Sequence, residues 1–117
     1  MAEFAKLRVG LAQINPTVGA LRENATKILD YYGQAADAGC DVVAFPELSI
    51  TGYPPEDLVL KQGFVAENQL VLGEIVKSIG ETYAVIGFVE QGQKSGELYN
   101  AAAICQNQKV VGVYRKH

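Results

Sequence analysis

The sequence predicts an α/β domain with a mixed sheet and helices on one face, and three features carry that prediction. Strand-period and helix-period stretches alternate as β-α-β-α-β before two further strands follow without an intervening helix. The run Val42-Val43-Ala44-Phe45 is apolar without alternation, the pattern of a central strand covered on both faces. The last three strands are separated only by Gly92-Gln93-Lys94-Ser95-Gly96 and Gln106-Asn107-Gln108, short polar stretches of the kind that join antiparallel neighbours.

Each element has its own local reason. Leu7 to Ile14 is rich in apolar residues, partly alternating, and stops at Asn15-Pro16, where proline biases its predecessor away from helix. From Leu21 the apolar positions Ala25, Ile28, Leu29, Tyr32, Ala35 and Ala36 recur at threes and fours, which makes an amphipathic helix closed by Gly39. Pro46 ends the second strand, and Thr51-Gly52-Tyr53-Pro54-Pro55 forms a turn before Glu56 and Asp57 open a short helical turn reaching Leu60. A second long helix runs from Phe64 through Val71, Leu72, Ile75, Val76 and Ile79 to Gly80. Tyr83–Val89, Leu98–Cys105 and Lys109–Tyr114 complete the strands. The second sheet face is apolar but has no helices, so later sequence or a partner is expected to cover it and the chain reads as a truncation. A complete two-layer domain is the alternative.

Composition narrows the function classes. A length of 117 residues, 49% hydrophobic and 20% charged, fits one domain or a piece of one. Ten Lys and Arg against thirteen Asp and Glu leave a net charge of −3, with no basic excess for a nucleic-acid backbone or an acidic membrane surface. No stretch approaches the ~18 apolar residues of a membrane helix, and Glu3, Arg8 and Gln13 spoil a signal segment, so a cytoplasmic protein is expected. Cys40 and Cys105 form no metal-ligand pattern and read as reduced thiols; Asn24-Ala25-Thr26 reads as helix surface rather than a glycosylation acceptor.

Nucleotide-loop, zinc-protease and serine-hydrolase motifs are missing, and no metal site is expected. Two ionisable residues fall where open α/β sheets keep their sites, just past strand carboxyl ends: Glu47 after the second strand and Lys116 after the fifth. Pro46 forces the chain out of the sheet where the Glu47 carboxylate begins. Desolvation by Phe45 and its neighbours is expected to raise the pKa of Glu47 toward a general-base range. Cys105, inside a strand, reads as a buried thiol rather than a partner of His117.

Phe45-Pro46-Glu47-Leu48 with Thr51-Gly52-Tyr53 resembles the first catalytic block of the nitrilase superfamily of carbon–nitrogen hydrolases, and Tyr114-Arg115-Lys116-His117 resembles the start of its lysine block. Ala12 to Gly19 and Asn24 match the family's first strand and helix. The segment Thr51 to Leu58 is similar, more narrowly, to the glutaminase domain of glutamine-dependent NAD synthetases. The resemblance implies that residues 1–117 are the N-terminal part of an α-β-β-α sandwich, with Glu47 as general base, Lys116 as the cation supporting the oxyanion, and Tyr53 as a candidate for the substrate pocket. It also implies a nucleophilic cysteine beyond Lys116, at a position that neither Cys40 nor Cys105 occupies, so the chain alone is expected to be inactive. The parent would take ammonia from glutamine and use ATP and Mg in a separate domain to amidate deamido-NAD, as a homo-oligomer. A stand-alone nitrilase-type amidase and a noncatalytic interaction module are the alternatives.

Overall fold

A computed structural model describes residues 6–53, 63–94 and 96–116. Its elements follow in the order β1 (Val9–Leu11), α1 (Leu21–Asp37), β2 (Val42–Ala44), α2 (Phe64–Val76), β3 (Tyr83–Gln91), β4 (Leu98–Gln106) and β5 (Lys109–Arg115). The strands form one sheet in sequence order, parallel from β1 to β3 and antiparallel from β3 to β5. Both helical crossovers step the same way across this sheet, so their right-handedness places α1 and α2 on one face, as expected. The helical turn expected between Glu56 and Leu60 lies outside the described residues.

Boundaries moved where tertiary contacts overrode local pattern. β1 is three residues long rather than eight, although Ala12 N still donates to Ala44 O at 2.9 Å before the chain departs toward Pro16. α2 stops at Val76, and its last turn tightens as Ser78 N donates to Ile75 O and Ile79 N to Val76 O.

The core lies between the helices and the sheet. Ile28 and Tyr32 of α1, Val71 and Ile75 of α2, and Ile86 and Phe88 of β3 belong to one buried cluster. Alternate strand residues face the other way. There Val9 and Leu11 are 49% and 72% exposed, and Val42 and Ala44 are only half-buried, so β2 is fully covered on its helix side alone.

Two buried asparagines tie the loops to this frame. Asn24 is fully buried, not helix surface: it accepts from Thr17 N at 2.8 Å and donates to Thr17 O at 2.7 Å and Ile50 O at 2.8 Å. The loop after β1 is thereby fastened to the loop after β2. Asn68 of α2 accepts from Val89 N and donates to Val89 O, giving β3 a partner beyond the point where β2 ends.

Candidate active site

Glu47 is placed by a turn that crosses β3. Pro46 has no N–H to continue the ladder. The chain folds back so that the Gly87 carbonyl accepts from Ile50 N at 3.2 Å and Ser49 Oγ at 3.3 Å. The turn packs so closely on Gly87 that a Cβ there would lie 2.7 Å from Pro46 O and 3.0 Å from the Glu47 carbonyl carbon. Leu48 takes a left-handed φ of 49°, and burial of its side chain holds it there.

Lys116 is placed by a register shift. The two-residue turn Asn107-Gln108, with φ of 51° and 64°, pairs Gln106 with Lys109 and Cys105 with Val110. Beyond it Ile104 pairs with Gly112 and Ala101 with Arg115, so Val111 is the extra residue of a β-bulge. The bulge sets the face of everything that follows. Without the shift, Arg115 would stand opposite Asn100; with it, Lys116 N donates to Asn100 O at 2.8 Å and the lysine emerges on the face without helices. Arg115, on the other face, reaches across Tyr99 to bind Glu90 through Nε at 2.5 Å and Nη2 at 3.2 Å.

The two residues meet. Lys116 Nζ donates to Glu47 Oε1 at 2.9 Å, and Asn100 Nδ2 donates to the same oxygen. They border an open cleft of about 420 Å³ at the carboxyl end of β2, floored by Phe45, Val85, Ala101 and Ala102. A larger hollow of about 670 Å³ lies at the opposite end of the parallel strands, around Cys40, Asp41 and Glu81, and holds neither predicted residue.

The electrostatics correct one expectation. The Glu47 pKa is lowered, not raised: the hydrogen bond from Lys116 outweighs desolvation, and Asn100 pulls the same way. The side chain remains 38% exposed, so apolar neighbours desolvate it little. Lys116 is shifted up, chiefly by its hydrogen bond to Glu47 and that carboxylate's charge, with a smaller contribution from Tyr53. Tyr53 itself is 60% exposed and forms no part of the cleft wall. Cys105 is fully buried toward the helices, where desolvation pushes its thiol up to about 11 and leaves it inert.

Asn100 is the site residue that the sequence reading passed over. Its signal was present in Tyr99-Asn100-Ala101-Ala102-Ala103: a strand-averse amide among small apolar residues in mid-strand. Nothing local said which carboxylate it would meet, 53 positions away.

A carboxylate and an ammonium held together above an apolar floor define a site able to move a proton and support a developing negative charge. The chain matches the carbon-nitrogen hydrolase family over residues 8–117, and it belongs to that family. Within it, the chain is similar to the glutamine-dependent NAD(+) synthetases of Thermotoga maritima, at 40% identity over 95% of this chain and 19% of that protein, and Xylella fastidiosa, at 41% over 99% and 21%. It therefore spans about a fifth of the length of these relatives. Among solved structures, the glutamine-dependent NAD+ synthetase of Acinetobacter baumannii in complex with ADP superposes with a TM-score of 0.87 at 34% identity, over 95% of this chain and 21% of that one. An amidase from Nesterenkonia sp. shares the fold, with a TM-score of 0.77 at 21% identity over 94% of this chain and 42% of that one.

Proposed function

We propose that residues 1–117 are the N-terminal part of a glutaminase domain in a glutamine-dependent NAD synthetase, with Glu47 as its general base and Lys116 as its oxyanion cation. The observation that carries this reading is the meeting of Glu47 and Lys116 at 2.9 Å on the cleft edge. The kinship with glutamine-dependent NAD(+) synthetases supports the choice of substrate.

In this reading a cysteine from outside these residues gives its proton to Glu47 and attacks the side-chain amide of glutamine. Negative charge then builds on the amide oxygen, where the Lys116 ammonium, held in place by Glu47, offers a fixed positive charge to stabilise it. Collapse of the adduct releases ammonia, with Glu47 returning the proton to the leaving nitrogen, and leaves a thioester. Water cleaves the thioester to give glutamate and restore the thiol. Tyr53, near Lys116, is available to line the entrance to the pocket.

The parent enzyme would pass the ammonia to deamido-NAD with ATP and Mg in a second domain, and act as a cytoplasmic homo-oligomer. Among the described residues, no cluster of three or more His, Cys, Asp or Glu side chains could hold a metal ion. No helix among them is long and apolar enough to cross a membrane.

The test is ammonia release from glutamine by the longer protein and by the 117-residue chain. The longer protein should release ammonia, Glu47→Gln and Lys116→Met should each lower kcat by about 10²–10⁴-fold, and the short chain should match a buffer blank. Full activity in either variant, or release by the short chain, would refute the assignment.

A further inference from the structure

We propose that Asn100 is a positioning residue for Glu47: its amide holds one carboxylate oxygen beside Lys116 and leaves the other as the oxygen that takes the proton. This rests on the role proposed above for Glu47.

The geometry is specific. Asn100 Nδ2 and Lys116 Nζ both donate to Oε1, while among the described residues no hydrogen bond reaches Oε2. A carboxylate with one oxygen doubly held cannot exchange its two oxygens by rotation without breaking both contacts. The basic lone pairs of Oε2 are thereby presented to a thiol, whose proton would move to that atom. Asn100 also controls the second residue of the pair, because its backbone carbonyl accepts from Lys116 N at 2.8 Å. One position on β4 thus connects to both ionisable residues, through its side chain to one and its main chain to the other.

An amide suits this position chemically. It donates to the ionised carboxylate and carries no charge to compete for Lys116, whereas an aspartate there would set a like charge against Glu47 and divide the ammonium between two anions. The other groups around Glu47 leave that function to Asn100. β3 presents Val85 and Gly87, Pro46 and Leu48 flank Glu47 on its own turn, β5 presents Tyr114 and Lys116, and Tyr53 lies near Lys116. Among these, Lys116 carries the charge that faces the carboxylate.

Asn100→Asp and Asn100→Ala separate a positioning role from a merely structural one. In the longer protein, Asn100→Ala should lower kcat about 10- to 100-fold with KM little changed, the loss expected for one hydrogen bond to a charged group. Asn100→Asp should move the acid limb of the pH–rate profile up by about one pH unit or more, since activity needs ionised Glu47 and a neighbouring anion resists that ionisation. A structural lesion would lower the plateau without moving the limb. The same comparison needs no activity when the Glu47 carboxyl is titrated by carbon-13 NMR in the 117-residue chain, with circular dichroism confirming that each variant is folded. An upward shift in Asn100→Asp supports the proposal; titration curves and acid limbs superposing on those of the wild type would overturn it. If the longer wild-type protein releases no ammonia from glutamine, the functional reading fails while the carboxyl titration still decides what Asn100 does.

Discussion

The Glu47–Lys116 pair is exposed enough, at 38% and 64% of its side chains, that its value lies in placement more than in stability. Its pH dependence follows from two opposite shifts. The Glu47 pKa is depressed, so its stabilisation is present above the ordinary value of 4.5 and is lost as pH falls through the lower folded value. The Lys116 pKa is raised, so its share is present below the ordinary 10.5 and is lost as pH rises through the higher folded value. Comparing urea midpoints of the wild type and Lys116→Met from pH 3 to 11 should show a small difference that is largest between these limits. A midpoint gap unchanged across the range would count against the linkage. Gly87 matters more for stability. Gly87→Ala drives a methyl into the Pro46–Glu47 backbone and should cost about 1–3 kcal/mol in urea unfolding while displacing the Glu47 carboxyl resonance.

Helix α2 is the contrasting element. Its Gly73 is exposed, and a Cβ there would meet nothing within 4 Å, so Gly73→Ala should stabilise the chain by roughly 0.5–1 kcal/mol, read as a higher urea midpoint. The same substitution therefore has opposite signs at the two glycines, and spacing alone distinguishes neither. Elements were legible where period was strong: α1 from Leu21 and the antiparallel strands lie where the apolar pattern put them. β1 was not, because its apolar residues continue past the point where β2 stops offering partners. The Val111 bulge was illegible, since an inserted residue leaves strand propensity unchanged and alters only the pairing.

Across the whole molecule, one layer of helices covers one face of the sheet and leaves Leu11, Val9 and Tyr83 on the other, at 72%, 49% and 38% exposure. Such a surface, bordered by the edge strands β1 and β5, should make the 117-residue chain associate at concentrations where ordinary domains remain monomeric. Sedimentation should show mass rising with concentration, and Val9→Thr with Leu11→Thr should reduce it; a concentration-independent monomer would contradict this.

The sequence by itself determined the α/β order, the exit of the chain at Pro46 and the presence of an acid and a cation past two strand ends, because period, proline geometry and strand polarity are local properties. Tertiary structure alone decided that Asn100 joins Glu47 and Lys116, that Arg115 turns to the opposite face, and that the Glu47 pKa falls rather than rises. Each of these depends on which residues stand opposite one another across the sheet, and one bulged residue changes that without altering any local preference.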